Sequence, residues 1–218
     1  MNLPICIKDI LIVDIEKINQ QLKDASAAEI VAWALAQGKK TIATTSFGKN
    51  AAVMLNVISQ VDQTVPTVWV DTGYNLRDTY VVADKLIKRI PLDYHVYSPL
   101  MTSERRNAVM GGIPTMEDEA LHTEFTRQVK LEPFNRAISE WAPEIWITGI
   151  RQQETEHRKT LDILSWDARG ILKVAPLFYW SDEQVEQYMQ DNELLSCRHY
   201  FDPTKVQDGR ECGLHTSA

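Results

Sequence analysis

The chain has 218 residues, 44% hydrophobic and 24% charged, with a formal net charge of −7. That is enough for one sizeable α/β core with an appendage and too little for two large domains. The acidic balance argues against a broad nucleic-acid footprint but leaves room for a local basic cleft that holds a small anion. No apolar run approaches the roughly 20 residues of a membrane helix.

The first residues, Met1-Asn2-Leu3-Pro4-Ile5-Cys6, show no basic region followed by an apolar stretch, so a cytoplasmic protein is expected. Asp24-Ala25-Ser26 then precedes an Ala-rich helical pattern from Ala27 to Gln37, stopped by Gly38. Lys40 to Thr45 is short and β-branched, the mark of a strand, and it runs through Ser46-Phe47-Gly48-Lys49 into a helix from Asn50 to about Gln60. Val65 to Val70 is almost continuously apolar, as in a parallel strand buried on both faces. Asp71-Thr72-Gly73-Tyr74 follows, then a helix from about Arg77 to Arg89 and a third strand from Asp93 to Tyr97.

Residues 98–126, broken by Gly111-Gly112-Ile113-Pro114, predict helical pieces with a mobile loop. After Glu132-Pro133-Phe134 a helix leads to a strand from Glu144 to Ile150, ending in Gly149-Ile150-Arg151, and polar residues continue to Arg158. Ile171 to Pro176 predicts a further strand, and Ser181-Asp182-Glu183 starts a helix running to Gln190. From Cys197 onward the sequence is polar and loop-like. Strands alternating with helices give an α/β fold with an open, mainly parallel sheet flanked by helices. Residues 1–196 are expected to form one α/β domain that includes an N-terminal helical segment. Residues 197–218 then form a mobile C-terminal tail.

In such sheets ligands sit beyond the carboxyl ends of the strands. Ser46, Phe47, Gly48 and Lys49 join a strand to a helix there and could cradle an anion with backbone amides. Asp71, Thr72 and Gly73 end the second strand, and Gly149 with Arg151 ends the fourth, with Arg158 a little further on. Each alone is as compatible with an ordinary turn or a solvated arginine; together they favour a nucleotide site. Neither Gly-x-Gly-x-x-Gly nor a Walker loop is present. Near the end of the sequence stands Arg210-Glu211-Cys212-Gly213-Leu214-His215. Neighbouring cations favour a thiolate, so Cys212, with Arg210 before it and His215 after it, is a candidate nucleophile. Cys6, Cys197 and Cys212 are widely spaced and include no Cys-x-x-Cys, so neither a zinc knuckle nor a four-cysteine cluster can be built from one chain. The histidines show no ligand spacing and no metal is assigned.

These stretches, in this order, resemble the phosphoadenosine phosphosulfate (PAPS) reductases of assimilatory sulfate reduction. The likeness covers Thr45 to Gly48 with Ala51-Ala52-Val53, Asp71 to Tyr74 with Thr79-Tyr80, and Glu132-Pro133 with Asn135-Arg136-Ala137. It continues through Gly149 to Glu154, Arg158, Lys173-Val174 with Pro176, and Trp180-Ser181, and ends in Glu211-Cys212-Gly213-Leu214-His215. The resemblance implies an adenine-nucleotide α-hydrolase-like fold with PAPS held by the first loop and the strand ends. It implies attack by Cys212 on the sulfonyl sulfur, assisted by His215 and Glu211, with Arg210 among the substrate contacts. It further implies a cysteine S-sulfonate, release of sulfite by reduced thioredoxin or glutaredoxin, no iron–sulfur cluster, and a homodimer without nucleic-acid or membrane partners. The sequence departs from the family pattern at Lys49-Asn50 and in a shortened 195–209 segment. Alternative readings are a cluster-free adenylyl sulfate (APS) reductase, a nucleotidyl- or sulfur-transferase of the same superfamily, and a nucleotide-binding regulator.

Overall fold

Adjacent strand residues point to opposite faces of a sheet, and here both faces are covered. Ile42 packs with Val68, Tyr97, Phe134, Ala137 and Trp146 on one side. Its neighbour Ala43 joins Ile145, Ile147, Leu172 and Val174 on the other. The computed structural model describes residues 12–115, 117–197, 199–205 and 214. Among these, six strands form one sheet: β1 Thr41–Thr45, β2 Pro66–Val70, β3 Asp93–Tyr97, β4 Ile145–Ile147, β5 Leu164–Trp166 and β6 Leu172–Val174. Their order is β3-β2-β1-β4-β6-β5, with every pairing parallel except β5 against β6.

The helices are α1 Ile12–Leu22, α2 Ala27–Ala36, α3 Ala51–Val61, α4 Arg77–Arg89, α5 Ser103–Met110, α6 Glu119–Thr126, α7 Glu132–Trp141 and α8 Asp182–Asp191. Their starts are legible in local chemistry. Ser26 and Glu29 form a capping box at α2, and Ser181 with Gln184 does the same at α8. The mainly parallel α/β architecture is as expected. The fourth and sixth strands are shorter than the apolar runs, although the Thr148 amide still donates to the Val174 carbonyl at 2.9 Å and that of Ala175 to the Ile163 carbonyl at 2.8 Å. The 98–126 segment forms α5 and α6 around a turn in which Gly111 and Gly112 take positive φ. Of the expected tail, residues 197, 199–205 and 214 are described, and the remainder lies outside the described residues.

Between α6 and α7 the helix does not stop. Residues Arg127–Leu131 form a π-helical turn, in which the Glu132 amide bonds back to the Arg127 carbonyl. Pro133 follows directly and has no amide to donate, so the ladder must loosen just there.

Helix α1 and strand β5 are absent from the sequence reading, and they depend on one another. Ile15, Ile18 and Leu22 bury one face of α1. Asn19, buried between them, donates to the Leu164 carbonyl at 3.0 Å and accepts from the Leu164 amide at 2.8 Å. One side chain thus pairs the backbone of an edge strand as a neighbouring strand would. Asn19→Ala should lower unfolding free energy by about 2–4 kcal/mol, since two buried backbone groups lose their partners. Urea denaturation checks this.

Candidate active site

The sheet order reverses beside β1: the chain proceeds outward through β2 and β3, then returns to place β4 on the other side of β1. Connections leaving β1 and β4 therefore diverge, and a crevice opens at their carboxyl ends. A cavity of about 400 Å³ occupies it, within the size range of small-ligand sites. Its wall includes Thr44 to Ser46 and Gly48 from the end of β1, Asn50 and Ala51 at the start of α3, and Thr148 to Ile150 beyond β4.

The loop after β1 is held from behind. Phe47 takes φ 49°, a left-handed backbone that costs a non-glycine residue about 1–2 kcal/mol. Its ring is fully buried, edge-on to Trp69 with centroids 4.8 Å apart, and burial of such a side chain contributes about 1.5–3 kcal/mol. The amide of Phe47 also donates to Thr45 Oγ1 at 3.1 Å. With Phe47 turned inward, Ser46, Gly48 and Lys49 face the crevice. A Cβ on Gly48 would sit 3.2 Å from Ser46 Oγ and 3.4 Å from the Tyr200 ring, so close packing explains the glycine. Helix α3 begins at this loop without a side-chain cap; the Ala51 amide donates to the Gly48 carbonyl at 3.1 Å and the Val53 amide to the Asn50 carbonyl at 3.2 Å, and Asn50 and Ala51 line the cavity.

At the end of β2, Thr72 and Asn75 line the cavity. Asp71 and Gly73 stand behind them. Asp71 Oδ1 accepts from the Gly73 amide, the Asn75 side chain and the Tyr80 hydroxyl, at 3.0, 3.0 and 2.8 Å. Gly73 supplies the positive φ that this tight turn needs. Burial, with Asp71 adding to it, pushes the Tyr80 hydroxyl up to about 12, so it stays a donor.

The two arginines after β4 have different surroundings. Both are buried. Arg158 lines the cavity and pairs with Glu154. Arg151 lies away from the cavity lining; it reaches Asp182 on α8 at 2.7 Å, the Trp180 carbonyl at 3.2 Å and Glu154 at 3.6 Å. The hydrogen bond from Arg151 holds the Asp182 carboxyl below its usual range. Of the expected site residues, Ser46, Gly48, Lys49, Thr72, Gly149 and Arg158 thus meet in one cavity. Phe47, Asp71, Gly73 and Arg151 support it from behind. Arg210, Glu211, Cys212 and His215 lie outside the described residues. Leu214 is described: it lines the cavity and packs against the cluster around Trp146 and Phe134.

Sequence reading missed Lys130, Tyr200, Asp202 and Lys205, which complete the wall. Lys130, on the π turn, forms a buried ion pair with Asp202 and lies 3.3 Å from Thr204 Oγ1. Thr204 binds Asp202 Oδ1 through its amide at 3.0 Å and its hydroxyl at 2.7 Å. Burial works against the Asp202 carboxylate, but Lys130 and Thr204 outweigh it and hold the group below its usual range. The available signals were Pro133 inside a helical pattern and Asp202-Pro203-Thr204, whose side chains favour a turn.

The family model described as "Phosphoadenosine phosphosulfate reductase domain" matches residues 40–202, about three quarters of the chain. A phosphoadenosine 5'-phosphosulfate reductase of Synechococcus sp. is 33% identical, covering 94% of this chain and 98% of its own. The chain belongs to the phosphoadenosine phosphosulfate reductase family. The Vibrio cholerae protein of the same name is 32% identical over 91% of this chain and 87% of its own. A crystal structure of PAPS reductase from Candida auris, a phosphate complex, superposes with a TM-score of 0.75 at 25% identity, covering 86% of this chain and 90% of that one. Fold likeness alone extends to a U34-tRNA thiolase of Methanococcus maripaludis and an NMN synthetase of Francisella tularensis, with TM-scores of 0.51 and 0.52.

The buried pair gives this family member a measurable acid dependence. Because the folded Asp202 carboxyl titrates below its unfolded value, its stabilisation is present above about pH 4 and is lost as pH falls through the folded pKa. Lys130→Met should abolish the pair and leave a buried carboxylate unpaired, lowering stability by about 3–5 kcal/mol near neutral pH. Chemical denaturation of both proteins between pH 3 and 7 tests this, with the difference between them narrowing toward the acid end.

Proposed function

We propose that this protein reduces PAPS to sulfite and adenosine 3',5'-bisphosphate. The observation that supports this reading most is the cation-bearing cavity at the β1–β4 crevice, with Leu214 of the Glu-Cys-Gly-Leu-His motif on its wall. Family membership points to the same activity, for the relatives are named for it.

In this reading Ser46, Gly48, the first amides of α3, Lys49, Thr72, Gly149 and Arg158 bind the sulfonucleotide, with Arg210 added from the tail. Phe47, Asp71, Gly73 and Arg151 hold those groups in place. The thiolate of Cys212 attacks the sulfonyl sulfur. A sulfur–sulfur bond forms as the bond from that sulfur to the bridging phosphate oxygen breaks, and the bisphosphate leaves with the electron pair. Arg158 and Lys49 stabilise the charge that develops on the leaving oxygen. His215 and Arg210 favour the thiolate, and Glu211 orients the motif. A dithiol donor, reduced thioredoxin or glutaredoxin, then attacks the Cys212 sulfur. Sulfite departs with the electron pair of the broken bond, and the mixed disulfide resolves to an oxidised donor and a free Cys212.

The wide spacing of Cys6, Cys197 and Cys212 is the ground for a cluster-free enzyme and for PAPS over APS. The same reading divides the chain into an α/β domain of residues 1–196 and a catalytic tail of residues 197–218. It places the enzyme in the cytoplasm as a homodimer. No described helix is long and apolar enough to cross a membrane.

Sulfite release from PAPS and from APS, with reduced thioredoxin as donor, tests the reaction; release from PAPS alone is the expected outcome, and release from neither would refute it. Cys212→Ser should lose sulfite formation by at least about a thousandfold, with bisphosphate affinity by calorimetry nearly unchanged. Arg158→Ala should weaken bisphosphate binding roughly tenfold or more. A fall in thermal midpoint without that loss of affinity would make Arg158 a structural residue.

A further inference from the structure

Among the described residues, four basic side chains line the cavity: Lys49, Lys130, Arg158 and Lys205. The two buried ones each share a carboxylate of the protein already, Arg158 with Glu154 and Lys130 with Asp202. Lys49 and Lys205 form no ion pair among the described residues, although Lys49 feels Asp182 at longer range. Among the described residues, the cavity cations with no carboxylate paired to them are therefore two lysines carried by separate elements. Lys49 belongs to the loop after β1, beside the first amides of α3. Lys205 comes from the 200–205 segment, which crosses from the Tyr200 ring over Gly48 to the cavity wall.

Lys205 is presented by a built turn. Its amide donates to the Asp202 carbonyl at 3.0 Å. The Asp202 carboxylate is gripped by Thr204 and by Lys130 from the π turn. Pro203, between them, has a fixed φ. The Lys130–Asp202 pair thus fixes backbone, while Lys205 keeps an uncompensated charge at the cavity. Two uncompensated cations on two elements suit a ligand with two separate anionic groups better than a ligand with one.

We propose that Lys205 is a specificity residue whose ammonium takes the second phosphate of an adenosine bisphosphate moiety. The 5' end of the ligand lies at Ser46 to Gly48 and the start of α3, beside Lys49. This assignment rests on the PAPS reading and adds to it the residue that distinguishes a bisphosphate from a monophosphate nucleotide.

Calorimetric titration of wild type, Lys205→Met and Lys205→Arg with adenosine 3',5'-bisphosphate and with AMP tests it. Lys205→Met should bind the bisphosphate about tenfold more weakly, the loss of one charge-assisted contact. AMP affinity should change by less than about twofold, and Lys205→Arg should restore bisphosphate binding. Unchanged bisphosphate affinity in Lys205→Met would overturn the assignment while leaving the PAPS reading intact. Equal losses for both nucleotides would also overturn it, by placing Lys205 on the shared 5'-phosphate. A wild-type protein that binds neither nucleotide would sink both. Matching thermal midpoints for the variants, with Lys205→Gln as a second neutral replacement, keep a folding defect from imitating the effect.

Discussion

A parallel sheet whose strand order reverses cannot close its carboxyl edge, and this constraint shapes everything around the cavity. Strands β1 and β4 are hydrogen-bonded neighbours, but the chain leaves them in different directions. The Ser46 to Lys49 loop and the Thr148 to Ile150 segment therefore diverge beyond the strand ends and line the cavity between them. Helix α3 starts there too, with its positive dipole end at the crevice. The crevice follows from topology, and the side chains determine what it holds.

Those side chains handle charge in two ways. Three buried cations at or behind the cavity each meet a carboxylate: Asp202 for Lys130, Glu154 for Arg158, Asp182 and Glu154 for Arg151. Breaking such a pair is costly even where the intact pair adds little net stability, so these contacts fix geometry more than they add free energy. Less enclosed lysines retain their charge for the cavity. Negative net charge on the whole chain and a locally cationic crevice are thus compatible, because only a few positions line the crevice.

Much of the fold is legible in the sequence because local and tertiary signals agree. Val65 to Val70 is apolar but for Thr67 since β2 is covered on both faces, and the Ser26 and Ser181 capping boxes mark their helices directly. Strand β5 escaped because its three residues, Leu164-Ser165-Trp166, gain their identity from pairing with β6 and from Asn19, 145 positions earlier in the chain. The site is legible to a similar extent. Position at a strand end identified Ser46, Thr72, Gly149 and Arg158 without distinguishing those that line the cavity from Asp71 and Arg151, which brace it. That difference is set by where Tyr80 and Asp182 lie in space. Lys130 and Asp202 are 72 residues apart, and no local pattern links them.

Phe47 carries a consequence for how the cavity meets its ligand. Its left-handed backbone is tolerated because the ring is locked among Trp69 and Tyr94, and the same lock denies the loop other conformations. A glycine there would relieve the strain and release the loop into many shapes. As built, the loop is ordered before anything enters the crevice. Association then forfeits little chain entropy at this loop, and the affinity of the crevice can reflect charge and fit rather than the cost of making a binding surface.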